Sequence, residues 1–184
     1  MTHDQDPSHI VAYDIAWPGL FADLAVRLRR ELGPLAKRID HIGSTAVPDL
    51  AAKPVIDIQI SVDALERVER YRDPIERCGF VWRADNPDLT KRYFRERPGG
   101  RRTHIHVRRS GSFSEQVALL FRDYLRHHRD QADRYGEEKR RLAHLLSTDR
   151  LAYVTAKTPF VWETIRLAND WAQATGWEPG PSDA

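Results

Sequence analysis

Two short apolar stretches, separated by a Gly-Ser turn, constrain the fold of this chain more than any other feature. The first stretch covers residues 36–42, the second covers residues 54–62, and Gly43 and Ser44 follow the first. Alternation along the second stretch predicts a strand with one polar and one apolar face. The polar face has Val55, Asp57 and Gln59, and the apolar face has Ile56, Ile58 and Ile60. We expect the isoleucine face to pack on helices and the Asp57 face to look toward whatever the turn holds.

The turn itself suits an anionic ligand. Gly43 has no side chain, so the backbone can come close to a bound molecule. Ser44 and Thr45 add hydroxyl and amide groups that can hold a phosphate oxygen. The same two residues are also typical of the cap of a short helix, and the residues alone leave both interpretations open.

A strand, a Gly-Ser turn and a second strand bearing an aspartate resemble the core of nucleotidyltransferases of the DNA polymerase beta superfamily. The sequence of residues 41–48, followed by residues 51–54, is more specific and resembles the GrpB family, a bacterial branch of that superfamily. Further blocks fit the same family, and together the matching blocks span roughly Val11 to Ala168. These blocks are Trp17-Pro18, residues 104–107, residues 121–125 and residues 156–158.

The resemblance implies an α+β fold, in which a nucleotidyltransferase-like mixed β-sheet packs on helices and a helical subdomain follows. We therefore expect one domain over residues 11–176, with the sheet part at about 11–110 and the helical part at about 112–176. Residues 1–10 are expected to form a flexible N-terminal tail, and residues 177–184 a disordered C-terminal tail.

Local signals predict several helix ends. Asp63-x-x-Glu66 and Ser112-x-x-Glu115 both match a capping box, in which a side chain accepts from a backbone N–H of the first turn. Asp73-Pro74 and Thr158-Pro159 predict helix restarts, because proline is tolerated in a first turn. Gly176 predicts the end of the last helix.

Composition excludes several classes of protein. A length of 184 residues suits one domain, with 41% hydrophobic and 30% charged residues, as in ordinary globular proteins. No apolar run approaches the roughly 20 residues that span a bilayer, and the N-terminus lacks the apolar segment of a signal peptide. Cys78 is the single cysteine, so an internal disulfide or a cysteine metal cluster is excluded. We therefore expect a cytoplasmic location.

Nucleotidyl transfer uses divalent cations that carboxylates hold, because hard cations prefer oxygen ligands. The resemblance implies two acids on the second strand and a third acid on a later one. Asp57 matches the first position, but Gln59 stands at the second, and the later strand offers His104 and His106. Magnesium or manganese is the expected ion, and zinc is a further candidate because imidazole favours softer metals.

The candidate catalytic and metal-binding residues are thus Asp57, His104 and His106. A lone carboxylate in an apolar strand is costly unless it is paired or binds a metal. The alternative for Asp57 is a salt bridge to Lys53 or to a nearby arginine. The alternative for the two histidines, which share a strand face, is a polar sheet surface without a ligand.

Basic residues that can neutralise a triphosphate complete the candidate site. Between residues 91 and 109 there are eight Lys or Arg residues and one acid. Arg122 comes from the helical part of the chain. It either binds phosphate or forms an ion pair between helices that involves Asp123, and the same two interpretations are open for Lys139 and Lys157. The full set of candidate nucleotide- or phosphate-binding residues is Gly43, Ser44, Thr45, Lys53, Lys91, Arg92, Arg95 and Arg122.

The resemblance implies a protein that transfers a nucleoside monophosphate from a nucleoside triphosphate to a small acceptor, and the Gly-Ser turn followed by the Asp57 strand agrees with it. One alternative is a domain that binds a nucleotide or another anion without turnover, since two of the three implied acids are missing. Another is a nucleic-acid or protein adaptor that uses residues 91–109, although a net charge of only +2 argues against it. The acceptor, the base of the nucleotide and the oligomeric state stay open.

Overall fold

The computed structural model describes residues 9–184, and over that range a five-stranded sheet packs between helices. Its α-helices are α1 (Trp17–Leu32), α2 (Val68–Arg77), α3 (Phe113–His127), α4 (Arg129–Leu142) and α5 (Arg150–Thr175). Its strands are β1 (Arg38–Ile42), β2 (Ile56–Val62), β3 (Phe80–Trp82), β4 (Arg92–Glu96) and β5 (Thr103–Arg109). Within the described range, no helix combines the length and the apolar character that crossing a bilayer requires.

The strands follow the order β1-β2-β5-β4-β3 across the sheet. Strands β2 and β5 pair in parallel at the centre, and the other neighbours pair antiparallel. The sheet is therefore mixed, and the predicted α+β class with a helical part after the sheet is confirmed. The central parallel pair also decides which residues of β2 and β5 lie side by side.

The two faces of the sheet differ as the alternation in β2 predicts. Ile56, Ile58 and Ile60 are almost fully buried in a core shared with α1 and α2. The opposite face is polar, and α3 lies against it at β1 and β5. A second apolar cluster joins the segment after the Gly-Ser turn to α3, α4 and α5 through Val47, Leu50, Tyr124, Leu125, Ala132, Tyr135 and Ala168.

Some predicted helix ends are confirmed and others are wrong. Ser112 caps α3 by accepting from Glu115 N, and α5 ends at Gly176, whose φ is +66°. The capping box at Asp63 is wrong: α2 begins only at Val68, and the Asp63 carboxylate lies 3.0 Å from Lys37 Nζ. The predicted restarts are also wrong, because Pro74 and Pro159 lie inside continuous helices. Most helix stability comes from tertiary packing. In α2 and α5 this packing outweighs the one backbone hydrogen bond that each proline removes.

Both ends of the described range, residues 9–184, contact the rest of the fold. Most of the predicted N-terminal tail lies outside the described residues, and Val11 forms an antiparallel bridge with Ala52. The sequence predicts disorder for residues 177–184, but these residues lie along the free edge of β1. Ser182 Oγ accepts from Ile39 N at 2.9 Å, and Asp183 Oδ2 accepts from His41 N at 2.9 Å. An edge strand exposes unpaired N–H groups, and these side chains satisfy them.

Candidate functional site

The parallel pairing of β2 and β5 brings three metal-ligating side chains together. Asp57 lies opposite His104 in the register, and His106 is the next residue on the same face. The Asp57 Oδ1 atom is 3.1 Å from His104 Nδ1 and 3.4 Å from His106 Nε2. One ligand atom from each residue lies within 4.8 Å of the others. The alternative that Asp57 pairs with Lys53 or an arginine is therefore not what the structure shows.

The electrostatics of this cluster favour an ionised Asp57. Burial by itself would raise the pKa of Asp57, but hydrogen bonds from His104 and His106 outweigh burial and hold this pKa well below its usual range. Burial lowers the pKa of His106 to about 4, against the opposing effect of Asp57. His106 is therefore a neutral imidazole at pH 7, which is the protonation state that binds metals.

The donor set fits a single divalent cation. Three atoms converge, while His104 Nε2 and His106 Nδ1, which point away from Asp57, are buried without a hydrogen-bond partner in the described part of the chain. A carboxylate with two imidazoles suits manganese or zinc more than magnesium, which prefers oxygen ligands. A cation held by these three residues would keep further coordination positions open, as in catalytic metal sites.

Gly43 lies directly against this cluster. Its φ of +71° and ψ of −170° fall in a region that residues with a Cβ atom rarely adopt. A Cβ atom on Gly43 would lie 2.6 Å from Asp57 Oδ2, which is shorter than any normal contact. The turn therefore needs glycine both for its backbone conformation and for the close approach of Asp57.

The two hydroxyls after Gly43 have different roles. Ser44 Oγ accepts a hydrogen bond from Lys139 Nζ at 2.9 Å and lies at the wall of a cavity. Thr45 is 1% exposed, and its hydroxyl donates to the Val55 carbonyl at 3.0 Å and contacts His41 Nε2 at 3.0 Å. Of the two hydroxyls, that of Thr45 is engaged in bonds that fix the turn, whereas that of Ser44 faces the cavity.

A cavity of about 210 Å³ lies between the sheet and the helical part, next to the Asp57 cluster. The sheet side and its loops contribute Ser44, Thr45, Ala52, Lys53, Val55, Asp57 and His104. Ile10 closes one side, α4 contributes Lys139, and α5 contributes Arg150, Tyr153, Val154 and Lys157. The cavity therefore combines the predicted Gly-Ser and Asp elements with cations from two helices.

The cations of the cavity lack carboxylate partners. Lys139 is 3% exposed, and burial, together with the neighbouring Lys157 and Arg140, lowers its pKa well below the usual range. Burial, with Arg150 and Lys157 nearby, lowers the pKa of Lys53 to about 8. Among described residues, none of the salt bridges involves any of these cavity cations. Burying Lys139 and Lys53 without a carboxylate partner is costly, and an anion in the cavity would reduce that cost.

Aromatic rings hold three of these lysines in place. Lys53 Nζ lies 4.7 Å from the centroid of the Tyr153 ring, and Lys157 Nζ lies 5.4 Å from the same centroid. Lys139 Nζ lies 4.4 Å from the centroid of the Tyr135 ring. Cation–π contacts of this kind are worth about 2 kcal/mol or more when the ammonium is desolvated. The rings therefore offset part of the cost of burying the lysines.

Arg122, a predicted phosphate-binding residue, is placed elsewhere. It is 3% exposed, its Nε donates to Asp123 Oδ1 at 2.7 Å, and its Nη1 donates to the His41 carbonyl and to Asp183 Oδ2 at 3.1 and 2.9 Å. The structure thus shows the alternative, an ion pair with Asp123. Both residues of the pair lie in α3, and Arg122 also donates to the carbonyl of His41 in β1. Arg122 is not among the residues that line the cavity, and its Nε and Nη1 are engaged by these partners.

The predicted cations of the β4 region also lie outside the cavity lining. Arg92 shares the apolar sheet face with Phe94 and donates to the carbonyls of Leu89 and Lys91. Arg95 lies opposite His104 but pairs with Glu96, and Lys91 Nζ lies 3.3 Å from the Asp88 carboxylate. Alternation along β4 separates Arg92 from the site, and local acids engage the other two cations.

Gln59, at the position where the resemblance implies a second acid, points toward α3. Its Nε2 donates to the Glu115 carbonyl at 3.3 Å, and its Oε1 accepts from Arg108 Nη1. Gln59 is fully buried by these partners. The second acid is therefore replaced by a neutral amide that takes part in packing α3 on the sheet.

Arg150 and Tyr153 are cavity residues that the sequence reasoning did not identify. Together with Lys157 they follow an i, i+3, i+7 spacing, which places them on one face of α5. This spacing was available as a signal: a helix face with two cations and one aromatic residue. What the sequence could not give was the packing of α5 that turns this face toward Ser44.

Comparisons with known proteins agree on one family. The family model described as GrpB protein matches residues 7–166. The crystal structure of the conserved protein GrpB from Enterococcus faecalis superposes with a TM-score of 0.81 at 31% identity, covering 90% of this chain and 99% of that one. The residues that form the cavity and the Asp57 cluster lie within these matched regions.

Curated relatives include proteins with different names. A UPF0157 protein from Pseudomonas aeruginosa is 38% identical over 162 residues, covering 86% of this chain and 66% of that protein. A dephospho-CoA kinase from Mycobacterium leprae is 32% identical over 199 residues, covering 93% of this chain and 48% of that protein. The chain thus spans about half the length of the dephospho-CoA kinases it matches.

Proposed function

The chain belongs to the GrpB family, and on that premise we propose that it is a metal-dependent nucleotidyltransferase. It transfers a nucleoside monophosphate from a nucleoside triphosphate to a small acceptor. The observation that supports this function best is the contact of Asp57 with the Gly43-Ser44 turn at the wall of a cation-lined cavity. A triphosphate substrate and the free thiol of Cys78 accord with a cytoplasmic location.

Each group of the site has a role in this proposal. Asp57, His104 and His106 would hold one divalent cation, and their two imidazoles favour manganese or zinc over magnesium. A cation at these three residues would supply charge neutralisation for the phosphates and activation of the acceptor hydroxyl. The Gly43-Ser44 turn binds phosphate oxygens through backbone N–H groups and the Ser44 hydroxyl. Lys53, Lys139, Arg150 and Lys157 neutralise the departing pyrophosphate.

The bonds that change are those at the α-phosphorus. The acceptor oxygen forms a bond to this phosphorus and gives its proton to water. The bond to the oxygen that bridges to the β-phosphate breaks, and pyrophosphate leaves with that oxygen and the bonding electron pair. Most of the protein's contribution is positioning and charge stabilisation, as in other phosphoryl transfers. Kinase activity is not part of the proposal, because the chain has no Gly-x-x-x-x-Gly-Lys-Ser/Thr loop.

A thermal-shift titration tests the binding half of the proposal. We expect ATP with manganese to raise the melting temperature of the wild type more than either component does alone. Asp57→Asn keeps the shape of the side chain and should abolish this joint effect. Asp170→Asn is the matched control, since Asp170 lies in an exposed ion pair with Arg166 on α5. Pyrophosphate release in the presence of candidate acceptors then tests turnover.

One observation favours a second candidate, a domain that binds nucleotide without turnover. Gln59 replaces an implied acid and is engaged with Arg108 and with the Glu115 carbonyl. Under this alternative, nucleotides stabilise the wild type and the Asp57→Asn variant equally, with or without metal. No pyrophosphate is released with any acceptor. The absence of any nucleotide response would contradict both candidates.

A further inference from the structure

The charges of the cavity match a chain of phosphates better than a single phosphate. Lys53, Lys139, Arg150 and Lys157 face the same space as one carboxylate, that of Asp57. Lys139 is buried with Ser44 Oγ as its hydrogen-bond acceptor, and Lys53 and Lys157 rest on the ring of Tyr153. Four cations from three segments of the chain surround the space, so an extended polyanion contacts all of them at once.

The cavity is smaller than the pockets that enclose a whole drug-sized ligand. Its volume is about 210 Å³. Pockets that enclose a drug-sized ligand usually measure about 300–1,000 Å³. The cavity can therefore hold the triphosphate part of a nucleotide, while the sugar and base extend along its remaining walls toward its mouth.

The remaining walls have few groups that could read a base. Ile10, Ala52, Val55 and Val154 are apolar, and Val154 is 46% exposed at the mouth. The lining formed by residues 9–184 contains neither Asn nor Gln, and its carboxylate is held by the two histidines. The Thr45 hydroxyl is occupied by the Val55 carbonyl. Apolar walls discriminate between ligands far less than sites built from hydrogen bonds.

We propose that the cavity recognises the triphosphate chain itself and does not select the nucleobase. The substrate class is therefore nucleoside triphosphates in general, with inorganic tripolyphosphate as a ligand of the same site. This inference rests on the proposed function and deepens it, because it names the part of the substrate that the site reads.

Binding of four nucleotides and of inorganic tripolyphosphate, each with manganese, tests the inference by calorimetry. We expect ATP, GTP, CTP and UTP to bind with dissociation constants within about threefold of one another, and tripolyphosphate within about tenfold of them. AMP should bind at least tenfold more weakly than ATP, because it lacks the phosphates that reach Lys139.

Two variants separate cavity contacts from general charge effects. Lys139→Met removes a buried positive charge and keeps a side chain of similar length. It should weaken the binding of all four nucleotides and of tripolyphosphate by the same factor. Lys37→Met is the matched control, because Lys37 is exposed at the start of β1 and pairs with Asp63. It should leave all affinities unchanged.

Some outcomes overturn the inference without touching the proposed function. A preference of more than tenfold for one base would show that the site reads bases, and so would tripolyphosphate binding more than a hundredfold weaker than every nucleotide. A fall in affinity for only one nucleotide in Lys139→Met would have the same meaning. If no triphosphate binds with metal, the proposed function itself fails, and the inference fails with it.

Discussion

At the scale of single residues, Gly43 is constrained both by its backbone conformation and by the closeness of Asp57. Gly43→Ala would place a methyl group 2.6 Å from Asp57 Oδ2 at a φ of +71°. We expect a loss of about 1–3 kcal/mol in the free energy of unfolding, from backbone strain and displacement of Asp57. We also expect loss of the joint stabilisation by ATP and manganese. Urea denaturation measures the first effect and thermal shift measures the second.

Gly19→Ala is the control for this substitution. Gly19 lies in α1, has no positive φ, and a Cβ atom there would meet nothing within 4 Å. Alanine in a helix should raise stability by about 0.5–1 kcal/mol relative to glycine. If Gly43→Ala were as stable as Gly19→Ala and still responded to ATP with manganese, the close approach of turn and carboxylate would have no functional meaning.

At the scale of elements, the free edge of β1 is completed by residues that are not a strand. Asp183 accepts from His41 N and from Arg122 Nη1, and Arg122 in turn donates to the His41 carbonyl. Asp183 and the α3 residue Arg122 therefore both hydrogen-bond to β1 at His41, two residues before Gly43. Because β1 leads directly into the Gly43 turn, these hydrogen bonds help to fix the position of the site.

Asp183→Ala tests this support. It removes one hydrogen bond to a backbone amide and one to a buried guanidinium, so we expect a loss of about 1–3 kcal/mol in unfolding free energy. Hydrogen exchange of the His41 amide should lose protection. Asp170→Ala, in an exposed pair, should change stability by at most about 1 kcal/mol. Equal effects of the two substitutions would mean that the segment 177–184 contributes nothing to β1.

At the scale of the whole molecule, buried neutral histidines make stability depend on pH. His41 is 4% exposed, stacks on Phe21 with ring centroids 4.8 Å apart, and has its pKa lowered by burial from 6.5 to about 4. Between these two values the unfolded chain binds the proton and the folded chain does not, so stability rises with pH. Stability due to His41 is complete above pH 6.5 and is lost as the pH falls toward 4.

We expect His41 to account for about 3 kcal/mol between pH 7 and pH 4, since one pKa unit corresponds to about 1.36 kcal/mol. Urea denaturation at pH 7, 5.5 and 4.5 measures this loss. His41→Gln should be less stable at pH 7 and lose less stability on acidification. His144→Gln changes an exposed histidine and should keep the full dependence on pH. An unchanged pH profile in His41→Gln would assign the acid sensitivity to other groups.

Much of the fold was present in local patterns. Alternation along β2 separated the Ile58 face from the Asp57 face, and the strand of His104 and His106 was predicted from its own alternation. Because side chains of a strand alternate with period two, these faces follow from sequence once the strands exist. The family resemblance rested on the same residues and was confirmed by the comparisons.

The sequence by itself thus determined the strands, the turn and the carboxylate, since each depends on neighbours in the chain. Tertiary structure alone decided which distant cations meet at Ser44: Lys139 and Arg150 do, whereas Arg92 and Arg122 do not. A long basic side chain takes whichever partners packing brings near, and desolvation penalises one that finds none. Partner choice is a property of the assembled fold, so it could not be read from spacing along the chain.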